Sequence, residues 1–371
     1  MTLEELVKEC AEIAYRETGF YIQGSGLTVL DGEGWKEFCG KTNTEQAAHG
    51  VYLPRAMRAV VRSDSEYMEV NIMHELFGHG LFCEQTKSGR EIVRLERNIQ
   101  AATPHIIQKN GPGKDDWVTD TTAFYTVLQS EEKLKQLVTY SMNDNEGFAV
   151  WMEQRLAERT GRAEMFRKKM KNMAHAKYAE LLAEFNSFEE RYGKTILLKA
   201  IGFPFTPDTE NMPDILRKVL GDAYDSIRIG MLYGSRRPYS DIDIFIVSDE
   251  IKTQHHGWLD IYAVSVDEFR QGLANLDISI TDPLLSGQKV AGSWKELQQC
   301  WEYIEKKEIT PNMAYHNFRK AVEQEDIGKG FPEGSRERMT ALGYAVSYME
   351  NAKHLCRGDK RLTMKELRIQ R

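Results

Sequence analysis

Cysteine is scarce and scattered: five residues over 371, with no two in a C-x-x-C pair. That excludes a thiolate zinc ribbon and a disulfide framework. No apolar run approaches the ~20 residues that a membrane helix needs. The opening MTLEELVKECAEIAYRETG reads as an amphipathic helix with acidic residues early, not as a basic start followed by an apolar run. Basic charge is also short. Lys and Arg number 49 against 56 Asp and Glu, a net charge of −7, which argues against general nucleic-acid binding. The tail from Arg357 to Arg371, with six basic and two acidic residues, reads as a solvated helix end. These absences point to a cytoplasmic protein with no membrane partner. The 41% hydrophobic and 28% charged content is that of an ordinary globular chain. The chain is long enough for two domains and more than one core.

Proline is sparse too, yet three of the ten fall within IGFPFTPDTENMPD, residues 201–214. Proline removes a backbone donor and restricts its predecessor, so this cluster punctuates the chain. Upstream the pattern is mostly helical, with apolar positions recurring at threes and fours. Downstream come a short helix at about 212–221 and three β-type runs, IRIGMLYG, DIDIFIVS and LDIYAVS, then a helical section from about Ser293. The expected organisation is α+β and multidomain, with a domain over 1–205, an α/β domain over 206–290 and a C-terminal helical region over 291–371.

What is present is chemistry-bearing. In HELFGHG, His74 and His79 stand five apart, with Glu75 and Gly78 between them. A regular helix turns about 100° per residue, leaving such a pair about 140° apart. They can share a metal only if the helix absorbs one extra residue, as a π-bulge does, and Gly78 is where such distortion is tolerated. A third ligand is then needed. The best candidate is Glu146 in NDNEGFAVWMEQRLAER, read as opening a second helix behind Asp144 and Asn145 as caps. Two histidines and a glutamate leave a position open for water on zinc, and Glu75 would act on that water as general base. Glu153, two turns further on, fits a supporting or surface role. The β-type run Arg58–Arg62 is expected to hydrogen-bond an extended peptide. His105 reads as a loop residue.

The second concentration of chemistry is RIGMLYGSRRPYSDIDIFIVS. The period of two puts Asp241 and Asp243 on one strand face. Adjacent carboxylates repel unless a cation separates them, and Mg²⁺ with substrate phosphates suits that place. Asp260, between Leu259 and Ile261 on another β-type run, would complete three acids around two metals. In-line nucleotidyl transfer needs that arrangement, with Asp260 on the metal that activates the acceptor hydroxyl. Gly234 and Ser235 offer backbone N–H groups and a hydroxyl to phosphate oxygens. Arg236 and Arg237 are further phosphate contacts. Five residues, RRPYS, separate Ser235 from Asp241. His255 and His256 read as a solvated turn before the Asp260 strand.

Both motif sets resemble known families. HELFGHG and NEGFAVW resemble the gluzincin metallopeptidases with an expanded H-E-x-x-x-H motif. The first is similar to the dipeptidyl peptidase III pattern and the second to the tubulin-tyrosine carboxypeptidase family. The segment from about 212 to 265 resembles the DNA polymerase β-like nucleotidyltransferase superfamily, through Gly234-Ser235, Asp241-x-Asp243 and Asp260. Together they imply a zincin-like peptidase domain acting on a peptide or protein, then a nucleotidyltransferase-fold domain that uses Mg²⁺ and a nucleoside triphosphate. The alternatives are a peptidase with a nucleotide-sensing domain and a non-catalytic protein stabilised by zinc.

Overall fold

The computed structural model describes residues 2–42, 44–108, 117–118, 120–172, 176–205, 210–235 and 237–368. Arg236, expected to contact phosphate, lies outside them. The chain is α+β, with two small mixed sheets, and it divides into compact units at Met1–Phe205 and Thr206–Arg371. Among the described residues no helix is long and apolar enough to cross a membrane.

In the first unit, α1 (Leu3–Thr18) starts with a capping box between Thr2 and Glu5. Strands β1 (Gly26–Leu30), β2 (Gly50–Leu53) and β3 (Arg58–Arg62) form a sheet in the order β1-β3-β2, with α2 (Gly32–Thr42) between β1 and β2. β1 runs parallel and β2 antiparallel to β3. The run Arg58–Arg62 is therefore a strand as predicted, but it is the central one. Both its edges are already hydrogen-bonded, so it cannot receive a peptide; that part of the expectation is corrected.

Three segments then follow without a break: α3 (Met68–Ile72), a π-helical stretch Met73–His79 and α4 (Gly80–Gln85). After α5 (Lys87–Ile106), the two-residue strands β4 (Ile107–Gln108) and β5 (Trp117–Val118) pair with each other. The unit closes with α6 (Thr121–Arg159), α7 (Ala163–Asn172), α8 (Ala176–Tyr192) and α9 (Lys194–Ala200). α6 is capped by Asp120, whose side chain accepts from Ala123 N–H. Glu146 thus lies deep inside a 39-residue helix instead of in a first turn, and Asp144 and Asn145 are not caps. The local N-D-N signal is overridden because this half of α6 is packed into the core. Phe148, Trp151 and Leu156 are fully buried there with Phe77, Phe82 and Phe203.

The π stretch was legible from the five-residue spacing, but the role of Gly78 differs from the one expected. A Cβ built on Gly78 would stand 2.5 Å from Ala149 Cα and 2.7 Å from its Cβ. The glycine is there because the π stretch and α6 touch backbone to backbone, not because the widened turn needs a flexible residue. Gly78→Ala should therefore destabilise the protein by about 1–3 kcal/mol through overpacking, read as a lower urea midpoint. Gly40, in α2 with nothing near its Cβ position, is the control; Gly40→Ala should be neutral or slightly stabilising. Equal midpoints for Gly78→Ala and wild type would refute the close-packing account.

The second unit opens with α10 (Met212–Leu220). Its sheet has the order β10-β6-β7-β9-β8, built from β6 (Ile229–Tyr233), β7 (Ile242–Val247), β8 (Gln254–His255), β9 (Leu259–Val264) and β10 (Gln288–Gly292). β7 and β9 are parallel, and the other neighbours are antiparallel. Helices α11 (Val266–Ala274) and α12 (Ile278–Ser286) precede β10, and α13 (Trp294–Lys306), α14 (Pro311–Lys329), α15 (Arg336–Cys356) and α16 (Met364–Arg368) follow it. Residues beyond 291 share one core with the sheet. Leu297, Cys300, Met313 and Leu355 pack with Met231, Phe245 and Leu284.

Candidate metal centre

The widened turn places the two histidines together. In the π stretch Gly80 N–H reaches Glu75 O, five residues back, where an α-helix would bond four back. The His74 and His79 rings lie 4.8 Å apart between centroids and nearly perpendicular. From α6, Glu146 Oε2 stands 3.7 Å from His74 Nε2 and 3.8 Å from His79 Nε2. Among the described residues this is the one group of three or more His, Cys, Asp or Glu placed to hold a metal ion, its ligand atoms all within 4.8 Å of one another. Bonds of 2.0–2.1 Å to tetrahedral zinc would set ligand atoms about 3.3 Å apart, so small side-chain shifts suffice. Glu146 Oε2 is also buried without a hydrogen-bond partner. A buried carboxylate oxygen with no donor is costly, and a cation between the three groups would satisfy it. The residues fit a metal.

Each imidazole is oriented from behind. His74 Nδ1 donates to Glu153 Oε2 (2.9 Å) and His79 Nδ1 donates to Asn145 Oδ1 (2.9 Å). A carboxylate and an amide oxygen only accept, so both protons sit on Nδ1 and both Nε2 atoms face the cluster. Glu153 is in the supporting role expected of it, but it is no surface residue: it is 1% exposed. Its other oxygen takes a 2.7 Å bond from Lys169 Nζ, itself buried. Burial opposes ionisation of Glu153, yet Lys169 and His74 outweigh it and hold the carboxyl below the usual range. Burial likewise pulls His74 down, but Glu146 and Glu153 dominate and leave it near 9. Glu146, desolvated but facing both imidazoles, falls to about 2.

Sequence reasoning missed Lys169 and Tyr178. Lys169 sits in a lysine-rich helix that reads as solvated. The Tyr178 phenol lies close enough to Glu146 to favour its ionised form, and its ring meets His74 edge-on at 6.0 Å. Burial first, then the charges of Glu146 and Glu75, push its ionisation up, so it stays a donor. Neither residue belongs to a local motif, and only tertiary packing delivers them.

Glu75 is buried and lies against β2; a Cβ on Gly50 would come within 2.9 Å of Glu75 Cγ. β2 pairs with β3 on one side only, so it, and not β3, is the sheet edge beside the centre. His105 ends α5 as an exposed helical residue, not a loop residue.

In the second unit the register sets Asp243 directly opposite Asp260 on neighbouring strands, and Asp241 immediately precedes β7. Gly234 has φ +74°, and any Cβ there would overlap Asp243 Oδ2, so glycine is needed twice over at that turn. Ser235 Oγ bonds Ser240 Oγ across the short loop (3.2 Å). The three aspartates do not gather as the histidine site does. His255 is not in a turn: it belongs to β8, pairs with Asp260, and bonds its Oδ1 at 3.0 Å. One carboxylate went unnoticed in the sequence. Asp282, buried on α12, takes a bond from Met364 N–H.

No protein-family model matches this chain, and no curated protein is detectably similar to it. The case for function therefore rests on the residues themselves.

Proposed function

We propose that the chain is a zinc-dependent peptide hydrolase with a zincin-like site formed by His74, His79 and Glu146, and with Glu75 as general base. The observation that carries this reading is Glu146 Oε2, buried, unpartnered and facing two imidazole nitrogens at 3.7 and 3.8 Å. Zinc bound there would supply a Lewis acid and lower the pKa of its water. The chain supplies the rest. Glu153 and Asn145 fix the tautomers that present both Nε2 atoms. The open edge of β2 suits an extended peptide added as a further strand, which would run its carbonyls past Glu75. Glu75 takes the proton of the attacking water and returns it to the leaving amine. Tyr178, beside Glu146, would offer it a hydroxyl donor. The test is cleavage of a fluorogenic peptide library by the zinc-loaded full chain and by its Glu75→Gln variant.

A second reading, nucleotidyl transfer in the second unit, is favoured by one observation, the side-by-side Asp243 and Asp260. Asp241, Asp243 and Asp260 would hold Mg²⁺, and Gly234 with Ser235 would face the triphosphate. Label transfer from a radioactive nucleoside triphosphate in the presence of Mg²⁺ should drop at least about 100-fold in Asp243→Asn, as loss of a transition-state charge contact does. Equal labelling in the variant and wild type removes this reading.

A further inference from the structure

We infer that the N-terminal half of α6 is a self-association surface, built to take α6 of a second copy of this chain in antiparallel orientation. α6 is about 58 Å long at 1.5 Å per residue. In its first half, α6 carries two neighbouring stripes at heptad spacing. The first runs through Ala123, Val127, Ser130, Leu134, Leu137 and Ser141, all buried or half-buried. This half of α6 is tied to α5 by the Lys133–Glu91 ion pair at 2.8 Å. The second stripe, one residue on, is Phe124, Leu128, Glu131, Lys135, Val138 and Met142, and all six are exposed. Its apolar members are 42%, 50%, 43% and 43% accessible. Spacings of four and three alternate through it, the phase of a coiled-coil seam.

The order of side chains in this stripe selects the occupant. Read in either direction it runs apolar, apolar, charged, charged, apolar, apolar, with the two charges opposite in sign. Laid antiparallel on itself, Phe124 meets Met142, Leu128 meets Val138 and Glu131 meets Lys135, each twice by two-fold symmetry. That is an isologous contact, the usual form of a homodimer interface. A parallel arrangement would stack Glu131 on Glu131 and Lys135 on Lys135, which repel. Among the described residues neither Glu131 nor Lys135 makes an ion pair. A polar layer of this kind fixes register and direction in coiled coils.

The surface bears on the metal centre. Leu128 and Glu146 are eighteen residues apart, five whole turns, so the stripe and the Glu146 side chain share one helix face. In the antiparallel register the start of the partner copy's α6 lies beside Asn145, which orients His79.

The test is the mass of the full-length protein in solution, by sedimentation velocity over a range of concentrations. Wild type should form a dimer. Glu131→Lys should weaken it by at least about tenfold, because like charges then oppose one another in both central layers. Glu131→Lys combined with Lys135→Glu should restore it, a rescue only the antiparallel register gives. Leu128→Glu should also dissociate it, with far-UV circular dichroism unchanged because the residue is exposed on the single chain, and with a thermal midpoint that no longer depends on protein concentration. If Leu128→Glu fails to fold, the charge-reversal pair still decides the matter. A wild type that stays monomeric overturns the inference, and so does a dimer indifferent to the charge reversals. So would a monomer in which Leu128→Glu raises KM for a peptide, since the stripe would then be a substrate surface.

Discussion

Glu146→Ala should leave the protein folded but unable to keep zinc. Wild type purified without chelator is expected to carry about one zinc per chain in the first unit. The variant keeps two histidines, too few to hold zinc firmly in a site that takes three protein ligands. Two readouts should move together. Bound metal by atomic emission should fall to background, and the zinc-dependent rise in thermal midpoint should vanish. For wild type that rise reflects about 4 kcal/mol when free zinc is 1,000 times the dissociation constant. Proton linkage gives a third check. Without metal, Glu146 and Glu153 hold a proton on His74 up to about pH 9. Zinc must displace that proton, so affinity should fall about tenfold per unit as pH drops below 9. A variant that retains zinc would show that Glu146 is not a ligand. A wild type that binds none would leave the three side chains as an imidazolium–carboxylate cluster inside a core.

The sequence was legible where chemistry and periodicity coincide. His74 and His79, five apart, can share a metal only through a π turn, and one is present over Met73–His79. The alternation in DIDIFIV gave β7. The boundary near 205 followed from the proline cluster and is where the chain divides, and helices do start near 212 and 293. What failed was decided by contacts distant in sequence. Nothing in NDNEGF reveals that α6 begins at Thr121, because its first half is held by α5 and its second by the core. The order of three strands places β3 in the middle, and a five-residue β-type run cannot say whether it is an edge. Lys169 looks like one solvated lysine among several, and it becomes a buried counter-ion only because Glu153 arrives from another helix. The role of Gly78 was misassigned for the same reason: the constraint comes from Ala149, on α6.

Glu75→Gln should abolish peptide hydrolysis while the zinc stays. Gln fills the same volume and keeps the contact with Gly50, and Glu75 is no member of the ligand set, so metal content and stability should match wild type. What disappears is the carboxylate that accepts a proton from the attacking water and delivers it to the amine. General acid–base catalysis is worth about 10²–10⁴-fold, so kcat should fall by that factor, about 3–5 kcal/mol in the barrier. KM should change little, because peptide binding falls to the edge of β2 and not to Glu75. The split between kcat and KM matters more than the loss alone. A rise in KM at constant kcat would make Glu75 a substrate contact, and zinc lost with activity would make it a ligand. Hydrolysis at an undiminished rate would remove the general-base role, and with it the reason for a glutamate beside His74 in a turn whose distortion already serves the metal.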